Sequence, residues 1–206
     1  MSTSPDARLR FPATERNREP ILEVLRRVLP EEGVVLEIAS GSGEHAVFFA
    51  RHLPSLTWAP TDLEDEHVAS IDAWRASERL PNVEPARRLD VHEPRWPLER
   101  ADAIFCANLI HIAPWSACLA LLDGAARLLA PGARLVLYGP FRVGGVHTAP
   151  SNEAFDASLR ARDPSWGVRN LDEVVVCAAE RGLALRETVP MPANNLTVVL
   201  ERVDRG

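Results

Sequence analysis

The chain has 206 residues and a net charge of −6, with an isoelectric point near 5.6. An acidic chain with no basic tract is a poor match for a polyanion, so a nucleic-acid partner is not expected. All 23 basic residues are arginine. The three cysteines, Cys106, Cys118 and Cys177, sit in apolar stretches without metal-ligand or redox spacing. No apolar run approaches the roughly 18 residues that span a bilayer, and the polar N-terminus lacks the apolar core of a signal peptide. These features predict a cytoplasmic protein with reduced cysteines, no bound metal and no membrane partner.

Residues 1–16 read as a loose arm ahead of a single domain over 17–206. Ile21, Leu22, Leu25, Val28 and Leu29 form a helical stripe that predicts a helix over 18–29. Pro20 suits its first turn, and Pro30 with Gly33 ends it. Val34 to Ile38 reads as a strand that carries one acid, Glu37. The small-residue turn Ala39-Ser40-Gly41-Ser42-Gly43 follows, then a helix over 44–52. Trp58 to Asp62 reads as a second strand, and 64–77 as a helix with Val68, Ile71 and Trp74 on one face. A third strand closes at Asp90, and a fourth covers Ala103 to Ala107.

Pro114 opens a helix with a stripe at Trp115, Cys118, Leu119, Leu122 and Leu129, closed by Pro131-Gly132. Arg134 to Tyr138 reads as the fifth strand. Residues 139–169 read as irregular, with a short helix over 151–161. Asn170 and Glu173 have the spacing of a capping box, opening a last helix that Gly182 closes. Two final strands, 183–188 and 196–202, have a short connection and therefore an antiparallel pairing. Alternating strands and helices with an antiparallel ending predict an α/β fold built on a doubly wound, mostly parallel sheet.

The strand, glycine turn and helix N-terminus at 34–45 are a common cradle for nucleotide-like ligands. Gly41-Ser42-Gly43-Glu44-His45-Ala46 also fits the loose dinucleotide pattern. Glu37, four residues before Gly41, changes the chemistry. A carboxylate there repels phosphate and attracts a ligand carrying an ammonium and a sulfonium. Asp62 lies about 20 residues past the turn, where an acid can take both ribose hydroxyls. Glu37, Asp62 and Asp90 each end a strand pattern, which lines them along the carboxyl edge of a parallel sheet.

These motifs resemble the class I S-adenosylmethionine-dependent methyltransferases, with Ala39 standing where the first glycine of their turn usually falls. The resemblance implies a seven-stranded, Rossmann-like sheet of order 3-2-1-4-5-7-6 and S-adenosylmethionine as cofactor. It assigns Glu37, Ala39, Ser40, Gly41, Gly43 and His45 to the methionine end, Asp62 and Leu63 to the ribose, and Asp90 and Val91 to the adenine. Asn108, after the fourth strand, would face the reactive methyl group and orient a substrate.

His111 is the candidate base, or else a histidine packed at a helix start. Trp115 and Phe141 serve either as substrate walls or as core, and Tyr138 shares the second wall. Asn17, Arg18, Asn152, Asn194 and Asn195 are candidates for the substrate rim. If the N-terminal segment folds over the cofactor, Arg18 is placed to meet a carboxylate of cofactor or substrate.

The chain also resembles a narrower group, the methyltransferase-like 26 proteins. That resemblance rests on Pro12 to Leu22, Leu36 to His45, Asn108 to Ile112 with Pro114-Trp115, Tyr138 to Phe141 and Trp166 to Leu171. The expected activity is methyl transfer to a small polar metabolite. A cofactor-binding sensor, a protein or RNA methyltransferase and a nicotinamide enzyme stand as rivals. Neither the acceptor atom nor the oligomeric state is readable from the sequence.

Overall fold

A computed structural model describes residues 6–204. Its elements run α1 (Pro12–Val28), β1 (Gly33–Ile38), α2 (Glu44–His52), β2 (Leu56–Asp62), α3 (Asp65–Glu78), β3 (Arg87–Arg88), β4 (Ala101–Ala107), α4 (Trp115–Leu128) and β5 (Leu129–Gly139). A small hairpin follows, β6 (Arg142–Val143) and β7 (Val146–His147), then α5 (Pro150–Arg162) and α6 (Leu171–Glu180). The chain closes with β8 (Leu183–Met191), a short turn of 3-10 helix and β9 (Asn195–Arg202).

Seven strands form one sheet in the order β3-β2-β1-β4-β5-β9-β8. The first five run parallel, and β9 enters antiparallel between β5 and β8. Counting only the strands of this sheet, the order is 3-2-1-4-5-7-6, as expected.

Alternation along the strands splits the core into two layers. Val35, Phe105, Val136 and Val199 face α1 and α2. Leu36, Ile104, Leu135 and Leu200 face α4 and α6. Helices on both faces leave the central strands β1 and β4 mostly apolar.

Three local expectations are corrected. Of the arm expected over 1–16, residues 1–5 lie outside the described residues, and Pro12 to Arg16 are already helical. Pro12 takes the first-turn place, where its missing N–H would have no partner anyway. Pro20 sits inside the helix and deprives the Arg16 carbonyl of its partner. The capping box at Asn170 does not form. Asn170 has no side-chain cap bond, and its Oδ1 accepts instead from the Gly145 N–H of the β6–β7 hairpin at 3.3 Å.

Candidate active site

The β1–α2 turn sits at the carboxyl edge of the sheet. Gly43 is the left-handed N-cap of α2, with φ 88°. A Cβ there would lie 2.7 Å from the Ile71 Cα, so α3 could not approach with any larger residue. Ala39 also has positive φ, 56°. This is the position where the resemblance led us to expect glycine, and the backbone keeps a glycine-like shape at a steric cost. Ser40 ties the turn to β2 through its N–H on the Thr61 carbonyl, 2.8 Å.

Asp62, buried at the end of β2, organises the turn. Its Oδ2 accepts from the Gly41 N–H at 2.8 Å. Its Oδ1 accepts from the Glu64 N–H at 3.1 Å and faces His67 Nδ1 at 3.0 Å. Leu63 is exposed beside it. Asp90 lies in the loop after β3, where Oδ1 accepts from the His92 N–H at 2.9 Å and faces His92 Nδ1 at 2.8 Å. These contacts hold the Asp90 carboxyl below the usual carboxylate range. Val91 is buried next to it.

Glu37 departs from its expected role. It points into the α1–α2 layer, 2% exposed, where Trp58 Nε1 donates to its Oε2 at 2.7 Å. Burial raises its pKa to about 8, against the smaller opposing effects of Trp58 and Ser40. The carboxyl therefore keeps its proton at neutral pH, and in this arrangement it presents no negative charge to a ligand.

A polar cluster occupies the same edge on the α1–α2 side. His45 Nε2 meets Asn17 Oδ1 at 2.8 Å, so that nitrogen carries the hydrogen. The His45 ring stacks on Phe49 with 5.0 Å between centroids. Burial, helped by Arg18, lowers its pKa to about 3. The Arg18 guanidinium lies over Phe48, 4.7 Å from the ring centre, and its Nε is buried without a hydrogen-bond partner among the described residues. Burial pushes the Tyr138 phenol up, while Asn17 and Asn195 beside it work the other way. Tyr138 therefore holds its proton.

Asn108 and His111 meet at the end of β4. Asn108 adopts φ 62°, and its N–H donates to the Tyr138 carbonyl at 2.8 Å. His111 is fully buried and edge-on to Phe141, 4.9 Å between centroids. Its Nδ1 accepts from the Arg169 N–H at 3.2 Å, so the hydrogen sits on Nε2, which has no partner among the described residues. A Cβ on Gly139 would stand 2.6 Å from that nitrogen and 3.1 Å from Asn108 Oδ1. Burial, then the charge of Arg169, lowers the His111 pKa to about 3. Its lone pair is engaged and its free nitrogen is a donor, so the base role expected of it does not fit this placement.

Four expected substrate contacts have other roles or lie elsewhere. Phe141 is fully buried and closes the core. Asn152 is buried, and its Nδ2 donates to Thr148 Oγ1 at 2.9 Å and the Asn194 carbonyl at 2.8 Å, tying α5 to the β8–β9 connection. Asn194 itself is exposed there, with φ 58°. Trp115 borders a separate groove of about 390 Å³ with Asp172, Glu173, Val176 and Cys177.

Two residues escaped the sequence reading. Arg169 clamps the loop after β4. Its Nε donates to the Ile110 carbonyl at 2.8 Å, and one terminal nitrogen donates to Ala113 at 2.6 Å and Ser165 at 2.9 Å. Phe11 lies over the glycine turn, where a Cβ on Gly41 would stand 3.0 Å from its ring. Arg169 was within reach, inside the Trp166–Leu171 motif. Phe11 sits in a stretch with no periodicity, so no local signal marked it.

The sheet order and its antiparallel insertion define the Rossmann-like fold of class I methyltransferases. The chain is similar to an O-methyltransferase family 2 protein from Planctomyces limnophilus in complex with apigenin, at 19% identity and TM-score 0.79, covering 93% of this chain and 58% of that one. It is likewise similar to an O-methyltransferase family protein from Burkholderia thailandensis, at 18% identity and TM-score 0.78, covering 94% and 58%. A methyltransferase of calicheamicin biosynthesis in its SAH-bound form matches at 18% identity and TM-score 0.72, covering 90% and 54%. The chain spans little more than half the length of these proteins, and identities this low speak for the fold. The chain belongs to the family described as "Protein of unknown function (DUF938)", whose model matches residues 8–202. Among the described residues, no helix is long and apolar enough to cross a membrane.

Proposed function

We propose that this protein is an S-adenosylmethionine-dependent methyltransferase that acts on a small polar metabolite, and that it is akin to the methyltransferase-like 26 proteins. The observation that carries this reading is the Asp62–Gly41 hydrogen bond, which locks an acid-x-Ala-x-Gly-x-Gly turn onto the end of β2. Together they offer a ligand a carboxylate and close backbone at one point of the sheet edge. The described residues fit the cofactor: Asp62 for the ribose, Leu63 and Val91 as apolar flanks of an adenine, Asp90 for its amino group, and Ala39 to Gly43 with His45 along the methionine portion. Glu37 serves from behind the turn, as a protonated anchor. When bound, S-adenosylmethionine supplies an already activated methyl group.

The chain's own residues then have to orient the acceptor and exclude water. Asn108, Asn17, Asn195 and the Tyr138 hydroxyl are the polar groups for that task, with Arg18 as a cation at the margin. Both buried histidines are neutral at pH 7, with pKa values lowered to about 3, so neither is a strong base in this arrangement, and the His111 lone pair is already engaged by the Arg169 N–H. The reading therefore favours an acceptor that needs no deprotonation by the protein. That same lack of a base favours one alternative, a cofactor-binding protein without turnover.

Calorimetric titration with S-adenosylmethionine, S-adenosylhomocysteine and NAD tests the proposal. Saturable binding of the two sulfur ligands alone is expected. Binding of NAD alone, or of none of the three, refutes it. Turnover with screened metabolites then separates enzyme from sensor.

A further inference from the structure

Residues 8–11 form a strap whose fastenings lie beside the glycine turn. The Leu9 N–H donates to Ser70 Oγ at 2.8 Å, and Trp74 Nε1 donates to the Leu9 carbonyl at 2.9 Å. Arg8 and Arg10 both lie over the Trp74 ring, at 5.0 and 4.6 Å. At the other end the Phe11 N–H donates to Glu44 Oε2 at 2.8 Å. The strap thus bridges α3 and the first turn of α2. Glu44 Oε2 also accepts from Ser42 Oγ at 2.9 Å, which joins this fastening to the turn itself.

The Phe11 ring lies against the turn. It covers Gly41, and it meets His67 edge-on at 5.8 Å. Gly41 and His67 are both partners of the Asp62 carboxylate. An aromatic ring therefore stands over the backbone expected to hold the methionine portion and against a partner of the group expected to hold the ribose. Phe11 is nevertheless 39% exposed. A ring this exposed can swing outward with little loss of buried apolar surface.

We infer that Phe11 is a cofactor-contacting residue and that residues 8–11 are a lid, which opens to admit S-adenosylmethionine and recloses over it. The inference rests on the cofactor reading above. Its mechanical part follows from where the fastenings lie. The bonds to Ser70 and Trp74 are on α3, outside the turn, so they survive with a ligand beneath the ring. Entry and exit are then both gated by one opening step, and a change that weakens the strap speeds both.

Stopped-flow binding of S-adenosylhomocysteine to the full chain, Trp74→Phe and Phe11→Ala tests this. Trp74→Phe removes the indole donor to Leu9 and keeps an aromatic face under Arg8 and Arg10. Loss of one hydrogen bond raises the open population about five-fold. Association and dissociation should both accelerate by about that factor, with the dissociation constant nearly unchanged. Phe11→Ala, a change at an exposed side chain, should accelerate both at least as much and weaken affinity through loss of the ring. Unchanged rates in both variants overturn the lid. Faster association with unchanged dissociation also overturns it, since the strap would then only compete with the ligand.

Hydrogen exchange at the Leu9 and Phe11 amides separates failure of the lid from failure of the cofactor reading. If the wild-type chain binds no S-adenosylhomocysteine but both amides are protected, the strap stands and the ligand is wrong. Exchange at the unprotected rate in the free protein overturns the strap itself.

Discussion

Glu37→Gln should stabilise the protein, and by an amount that grows with pH. Glutamine has the shape of the protonated carboxyl and keeps an oxygen for Trp58 Nε1, but it cannot ionise. The glutamate titrates near 4.5 when exposed and near 8 when folded, because burial raises it. Between those values the native state holds a proton that the unfolded chain has released. Stability from this group is therefore fully present below about pH 4.5 and is lost as pH rises toward 8. Each pH unit in that window removes about 1.4 kcal/mol, so the variant should exceed the wild type by about 3 kcal/mol at pH 7.

Urea unfolding of both proteins at half-unit steps from pH 4.5 to 8.5 measures the difference. Comparison at each pH also cancels the opposite trend from His45 and His111. Those rings have pKa values lowered to about 3 and lose native stability as pH falls below 6.5. A difference that stays flat from pH 5 to 8 would refute the reasoning and show that Glu37 is ionised in the native state, with a partner for its charge.

Other expectations follow from single contacts. Ala39→Gly relieves the left-handed backbone at φ 56° and should raise the melting temperature, by about 0.5–1 kcal/mol of stability after glycine's entropy is counted. Asp62→Ala should weaken S-adenosylhomocysteine binding by about 1–3 kcal/mol in calorimetry, and unchanged affinity would remove Asp62 from the site. Arg169→Ala strips three carbonyls of a charged donor and should cost about 3 kcal/mol in denaturant unfolding; a loss below about 1 kcal/mol would mean that water satisfies those carbonyls equally well. Tyr138→Phe should spare cofactor affinity and lower methyl transfer, and a loss of cofactor binding would place the hydroxyl in the cofactor site instead.

The sheet was readable because β1 and β2 each carry their own signal, a short apolar run with an acid or a small-residue turn at its end, and β4 and β5 are apolar runs between helical stripes. Glu37, Asp62 and Asp90 could be aligned along one edge before any coordinates, since strand polarity alone puts them there. What side chains do at that edge was less readable. Glu37 was read as a charge facing a ligand, yet alternation along β1 turns it toward Trp58, on the side that α2 covers. His111 was read as a base or else as a histidine packed at a helix start, and the backbone of Arg169, far along the chain, occupies its lone pair. Pro20 drew the start of α1 too far along, because Pro12 offers the same signal eight residues earlier. The β6–β7 hairpin, two residues per strand, is too short to show an alternation.

The position of β9 has a bearing on how the chain is made. It is the last strand in sequence, yet it lies between β5 and β8, and β8 has no other neighbour in the sheet. Until residues 195–202 have left the ribosome, β5 offers an open flank and β8 has nothing to join. The glycine turn, with β1, α2, β2 and α3 around it, is by then long synthesised. Chains interrupted before Asn195 should therefore expose the apolar flank of β5 and an unpaired β8 to their neighbours and be prone to aggregate, which makes pairing of β9 the step that commits each new molecule to solubility.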